Sequence, residues 1–158
     1  MDIPESMRAE LGAWNGGNGI DLHSWTGCEG RFALAVGYAS IFWPEFVEFD
    51  GYILHKGFRE ETLRGFESQQ GSSRRSVEAT INHLHIASIQ HRGCKDVSPD
   101  KLVALGNVIR EMWEARLRWQ FPDRPCVVTF EVPDEVDDIY GYQIFFWQRI
   151  HEEADPPV

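Results

Sequence analysis

The longest central stretch without glycine or proline has the hydrophobic spacing of a helix. It covers residues 73–91, SRRSVEATINHLHIASIQH. At about 100° per residue, four of its residues fall on one narrow stripe: Val77, Ile81, Leu84 and Ser88. Ile86 points away from this stripe, and a helix with two apolar faces is expected between layers of structure. The pattern therefore predicts one buried helix over residues 76–91, with Leu84 in the main core.

Five further segments have the periodicity, caps or breakers that are typical of helices: about 4–14, 21–27, 31–43, 58–70 and 98–120. The last begins with Ser98 and Pro99, residue types that favour the N-cap and the first helical turn. Segment 31–43 is ambiguous, because large and small side chains alternate along it as in a strand. Its length and its three alanines favour a helix, which we predict, with a strand as the alternative. Its apolar run is too short for a membrane span, so we expect it in the core.

The C-terminal part of the chain has the pattern of a β-hairpin. Residues 126–132 form a short run rich in β-branched side chains, which predicts a strand. A second strand is expected at about 140–150, where large apolar residues occupy both faces. The two strands would pair in antiparallel fashion across a loose connection, residues 133–138. A short strand is also expected at 51–54.

These elements place the chain in the α+β class. We expect one mostly helical domain over residues 1–158, with a small antiparallel sheet that includes the C-terminal hairpin. With 158 residues, of which 42% are hydrophobic and 25% charged, the chain is able to bury a core of its own. Residues 151–158 form a polar, proline-ended tail, and we expect it to fray.

The cysteines and the first residues indicate a compartment. Cys28, Cys94 and Cys126 are odd in number, widely spaced and without a C-x-x-C motif, so reduced thiols are expected. The start, MDIPESMRAEL, has neither the basic nor the apolar region of a signal peptide. Both observations favour a cytoplasmic location.

The charge of the chain is strongly negative and unevenly distributed. It holds 15 basic and 25 acidic residues, a formal net charge of −10. Nucleic acid and anionic membranes are therefore not expected as partners, whereas a basic protein is. Residues 121–158 contain nine acidic and two basic side chains, and so carry −7 of this charge.

His83 and His85 form an H-x-H pair, a pattern that is frequent at metal sites. On the predicted helix the two side chains would point about 160° apart and could not chelate one ion. We therefore expect no metal and no cofactor, and interpret both histidines as residues that form local hydrogen bonds. A role for one of them as a general base stays open.

Other candidate catalytic groups give weaker signals. The chain has no hydrolase nucleophile motif of the type G-x-S-x-G or S-x-x-K. Glu45, Glu48 and Asp50 are closely spaced carboxylates, as a glycosidase needs, but acids on a surface turn are expected to be solvated. Arg74 and Arg75 are likewise expected to be solvated at the start of a helix. No catalytic residue is assigned.

Size, acidity and the lack of catalytic motifs favour a binding protein. We expect a domain that neutralises or regulates a basic protein partner, and the chain resembles, in general type only, toxin-neutralising immunity proteins. The oligomeric state is left open. The expected contact residues lie in the hairpin loop that includes the end of the first strand, here called the acidic loop (residues 131–138): Glu131, Asp134, Glu135, Asp137 and Asp138. The alternative is a small cytosolic enzyme with a site near His83 and His85, or near the turn that carries Glu45 and Asp50.

Overall fold

The computed structural model describes residues 2–152, in which six α-helices pack with two small antiparallel sheets. The helices are α1 (Glu5–Gly17), α2 (Leu22–Glu29), α3 (Phe32–Phe42), α4 (Glu60–Glu67), α5 (Arg74–Ile81) and α6 (Pro99–Gln120). Five of them overlap the segments predicted as separate helices, and α5 is shorter than its prediction. Short 3-10 turns occupy Ile86–Ile89 and Arg149–His151.

The first sheet is a two-stranded hairpin of β1 (Phe46–Phe49) and β2 (Tyr52–His55). Asp50 and Gly51 connect the strands, with φ angles of 48° and 81°. Positive φ at both central residues is what a tight hairpin turn with the right-handed strand twist requires. The strand expected at 51–54 is therefore present, and it has β1 as its partner.

The second sheet has three strands in the order β3–β5–β4. These are β3 (Leu84–His85), β4 (Cys126–Glu131) and β5 (Gln143–Gln148), and both pairings are antiparallel. The register of β4 and β5 runs from the pair Cys126–Gln148 to the pair Glu131–Gln143. The α+β class and the C-terminal antiparallel hairpin are thus confirmed.

The prediction of one helix over residues 76–91 is wrong. Helix α5 ends at Ile81, and the chain then enters β3, where Leu84 pairs with Ile144 of β5. The backbone of Ile86 donates to the carbonyl oxygen of Tyr142 at 2.8 Å. Hydrogen bonds to the open edge of β5 thus replace those that a continued helix would make. Ile86 is fully buried, whereas Leu84 is half-buried at the edge of the core.

Helix α6 provides most of the helical surface of the main core. Ile109, Trp113 and Leu117 lie on its buried face and pack with residues of both sheets, including Phe46 and Phe146. Its bounds match the sequence prediction closely. A smaller cluster forms under the first hairpin, from Tyr52, Leu54, Leu63 and Val77.

Helix α3 is helical as predicted, but most of it does not lie in the core. Only its last turn packs inward, where Ile41 and Phe42 contact the main cluster. Phe32 and Val36 are 94% and 73% exposed, because the first turns of α3 extend past the end of the core. Despite this apolar helix, no helix within residues 2–152 has both the length and the apolar character needed to cross a bilayer.

The described chain includes the first two residues of the tail that is expected at about 151–158. His151 is buried, and Glu152 is half-buried and accepts a hydrogen bond from the indole of Trp147 at 3.0 Å. The expectation that His151 belongs to a frayed tail is therefore wrong. The remainder of that predicted tail, residues 153–158, lies outside the described residues.

Candidate functional site

The acidic loop connects β4 to β5 and projects from the three-stranded sheet. Glu131 is the last residue of β4, and its Oε2 accepts a hydrogen bond from Nε2 of Gln143 at 3.0 Å. Asp138 shapes the other side of the loop, since its Oδ1 accepts from the backbone of Gly141 at 3.1 Å. The carboxylates expected to contact a partner are all exposed: Glu131, Asp134, Glu135, Asp137 and Asp138.

The carboxylates of the acidic loop have no cationic partners in the described part of the chain. None of the ion pairs found within 4.0 Å among residues 2–152 includes one of the five. The loop therefore presents a concentrated negative charge at the surface.

The acidic turn near the first hairpin differs in this respect. Glu45 pairs with Lys56 at 2.8 Å. Each of the other two acids has an arginine partner: Glu48 with Arg124 at 2.6 Å, and Asp50 with Arg64. The expectation that these acids are merely solvated is wrong. Because their charge is compensated within the chain, they present a weaker field to an incoming protein than the acidic loop does.

Apolar side chains lie between the carboxylates of the acidic loop. Val132 and Val136 are 53% and 59% exposed, and Tyr140, just beyond the loop, is 39% exposed. Protein interfaces commonly combine apolar anchors of this kind with a charged rim. The loop thus offers both charge for attraction and apolar area for contact.

The histidine pair of the enzyme alternative is arranged differently from its prediction. Nε2 of His83 lies 3.2 Å from Nε2 of His85, because the segment is a turn and a short strand. The two rings therefore meet, and the predicted separation of about 160° on a helix is wrong. His83 also lines an open surface cavity of about 330 Å³ together with Glu131 and Phe145.

A buried polar network around Glu78 was not foreseen from the sequence. Glu78 is 0% exposed, and its carboxylate accepts from the backbone of Ile53 at 2.7 Å and of Gln148 at 2.7 Å. Its Oε2 also lies 2.8 Å from Nδ1 of His151. Asn82, the residue that follows α5, accepts a hydrogen bond from the backbone N–H of His55 and donates one to the carbonyl oxygen of Ile53. Glu78 and Asn82 thus provide hydrogen-bond partners for the backbone at the edge of β2 that faces away from β1. The His151–Glu78 pair has residue types that occur in catalytic sites, but it is buried inside the fold.

The arginine pair at the start of α5 is not simply solvated, as the sequence suggested. The guanidinium of Arg74 lies 4.0 Å from the ring centroid of Tyr52, and its Nη2 donates to the carbonyl oxygen of Asp50 at 2.6 Å. The guanidinium of Arg75 lies 4.5 Å from a ring centroid of Trp147. Both arginines are therefore engaged in holding α5 against the sheets.

Two half-buried titratable groups are held in their neutral forms at neutral pH. Burial lowers the pKa of His55 to about 4; its ring lies 4.8 Å from that of Phe46 and 4.6 Å from that of Trp113. Burial raises the pKa of the Cys126 thiol to about 12, which leaves almost no thiolate at neutral pH. Cys28 and Cys94 are free and exposed.

The most apolar of the larger cavities has a volume of about 430 Å³ and lies between α3, α6 and the 3-10 turn after β3. Trp25, Phe42 and Leu105 contribute to its walls. His91 and Asp96 also line it, but Asp96 is paired with Lys101. A histidine and a free carboxylate therefore do not converge there as acid–base catalysis requires.

No protein-family model, no curated protein and no solved structure matches this chain.

Proposed function

We propose that this protein binds a basic protein through the acidic loop and thereby neutralises or regulates it. In its most concrete form it is a toxin-neutralising immunity protein. The observation that carries the proposal is the contrast between two acidic surfaces. The carboxylates at positions 45, 48 and 50 are paired within the chain, whereas those of the acidic loop have no cation within reach in residues 2–152.

Electrostatics and burial have different roles in this binding. Exposed carboxylates attract a basic partner over about 10 Å at 0.1 M salt, and so they act mainly on the association rate. Val132, Val136 and Tyr140 would then be covered by the partner, and the removal of apolar area from water slows dissociation. The β4–β5 hairpin holds both groups on a sheet that is anchored in the core.

We place this activity in the cytoplasm, with neither nucleic acid nor membrane as the partner. Three free cysteines support a reducing compartment. The net charge of −10 opposes binding to polyanions in general.

Affinity capture from the native host lysate tests the proposal with three immobilised forms of the full chain. They are the wild type, a loop variant and a control variant. The loop variant carries Asp134→Asn, Glu135→Gln, Asp137→Asn and Asp138→Asn. The control variant loses the same number of charges at exposed positions elsewhere, through Asp2→Asn, Glu10→Gln, Glu29→Gln and Glu61→Gln.

Quantitative mass spectrometry then compares the three captured sets. We expect one basic protein to be retained by the wild type and the control variant and depleted from the loop variant. If the control variant loses the same protein to the same extent, total charge and not the acidic loop determines binding. Retention of one set of proteins by all three forms would rule out the loop as the binding surface.

A further inference from the structure

The rings of His83 and His85 meet in a geometry that hydrogen bonding between neutral histidines does not explain. Their Nε2 atoms are 3.2 Å apart, and the rings are perpendicular. Nδ1 of His83 lies 2.8 Å from the carbonyl oxygen of Thr80. Nδ1 of His85 lies 2.6 Å from the carbonyl oxygen of Tyr140.

The two carbonyl contacts determine where the ring protons are. A carbonyl oxygen only accepts hydrogen bonds, so each Nδ1 must carry the hydrogen that it donates. A neutral imidazole has a single N–H, and each Nε2 therefore presents a lone pair. Two lone pairs that face each other at 3.2 Å repel unless a positive species lies between them.

We propose that His83 and His85 bind a divalent transition-metal ion through their Nε2 atoms. Two Zn–N bonds of about 2.05 Å at a tetrahedral angle separate the nitrogens by about 3.3 Å, close to the spacing seen here. Histidine ligands of metals usually donate their other ring N–H to a carboxylate, a backbone carbonyl or water, which fixes the tautomer. Both histidines do this through carbonyl oxygens.

The fold holds the two ligands from three separate elements. His85 belongs to β3 and is paired with Gln143 of β5. Thr80, which orients His83, lies on α5, and Tyr140, which orients His85, follows the acidic loop. The lone pairs therefore converge because the backbone is fixed on both sides, and no side-chain rotation is required before an ion binds.

The site is open on its outer side. Among residues 2–152 no group of three His, Cys, Asp or Glu side chains is placed to hold one ion, so water completes the coordination. His83 is exposed and leaves room for these waters. Imidazole ligands suit Cu²⁺, Zn²⁺ and Ni²⁺, and the general order of stability places Cu²⁺ first. The reason for expecting no metal here, the separation on a helix, no longer applies.

Isothermal titration calorimetry of the untagged full chain with zinc chloride and with copper chloride tests this site. The variants are His83→Asn and His85→Asn, since the asparagine amide can still donate where Nδ1 does but has no atom at Nε2. His23→Asn, at an exposed histidine on α2, is the control. Thermal melting of each variant verifies that the fold is retained.

We expect one equivalent of ion to bind the wild type and the control with equal affinity. Either pair variant should bind roughly tenfold more weakly or worse, since loss of a ligand costs at least as much as loss of its outer support. In long-range ¹H–¹⁵N spectra, zinc should shift the Nε2 resonances of both histidines of the pair. A wild type that binds neither ion would overturn the proposal and leave a shared proton as the positive species. Unchanged affinity in both pair variants would overturn it equally.

Discussion

At the scale of single residues, Glu78 joins the two sheets. One of its oxygens accepts from the backbone of Ile53 in β2, and the other from that of Gln148 in β5, each at 2.7 Å. His151 adds a further contact to the same carboxylate. A fully buried carboxylate is tolerated only when its oxygens are saturated with donors, and this one is. The sequence shows only an acidic residue on a helix, so neither its burial nor its partners could be predicted.

Glu78→Ala should be among the most destabilising substitutions in the chain. It leaves two backbone amides in the core without acceptors, and we expect unfolding free energy to fall by about 3–5 kcal/mol. Urea denaturation followed by tryptophan fluorescence measures the change. Glu61→Ala removes an exposed carboxylate from α4 and should cost less than about 0.5 kcal/mol. Equal stability of the two variants would show that Glu78 does not join the sheets.

His55 should make the fold sensitive to mild acid. Its pKa is lowered from 6.5 to about 4 by burial, so the unfolded chain takes up a proton at a higher pH than the native protein does. Protonation of His55 therefore does not reduce the free energy of unfolding above about pH 6.5, and reduces it progressively as the pH drops toward 4. At a pH below both values, this difference in the pKa of His55 lowers the free energy of unfolding by about 3 kcal/mol.

Comparison with His55→Phe isolates this contribution. The variant keeps an aromatic ring between Phe46 and Trp113 and has no proton to take up. Urea unfolding at pH 7 and pH 5 should show a larger loss for the wild type than for the variant. Parallel losses in the two proteins would mean that His55 titrates normally in the folded state.

At the scale of elements, prediction succeeded where the signal was local. Ser98 and Pro99 predict the start of α6, and the β-branched run from Cys126 predicts β4. The segment after α5 has no local breaker, and its true partner is the distant strand β5. The helical periodicity of the sequence continues past Ile81, so the predicted helix included Leu84 and His85. In the structure these two residues form hydrogen bonds to β5 and belong to a strand. The contact of His83 with His85 was missed for the same reason.

Gly106 tests how closely α6 packs on β4. A Cβ at this position would lie 2.2 Å from the ring of Phe130, so Gly106→Ala requires the helix or the ring to move. We expect a loss of about 1–3 kcal/mol, in spite of the higher helix propensity of alanine. Gly37→Ala in α3, where a Cβ meets nothing within 4 Å, is the matched control and should be neutral or stabilising. Urea unfolding that ranks the two variants in the opposite order would contradict this packing.

At the scale of the whole molecule, the distribution of charge is the feature that bears most on function. Three acidic residues in and beside the first hairpin form ion pairs with basic residues of the chain. Those of the acidic loop are exposed and form no such pair within residues 2–152. The acidic run and its position in a hairpin connection could be predicted from the sequence. Which of the two acidic surfaces has its charge compensated could not be predicted, since this depends on basic residues that the fold brings close: Lys56, Arg64 and Arg124.

The association rate of the captured partner tests the central claim most directly. Surface plasmon resonance at two ionic strengths compares the wild type with the loop variant and the control variant defined above. We predict that the loop variant associates more slowly and that its rate depends less on salt, while the control variant keeps the wild-type rate and salt dependence. An association rate and a salt dependence that are identical in the wild type and the loop variant would contradict the assignment of the acidic loop as the partner-binding surface.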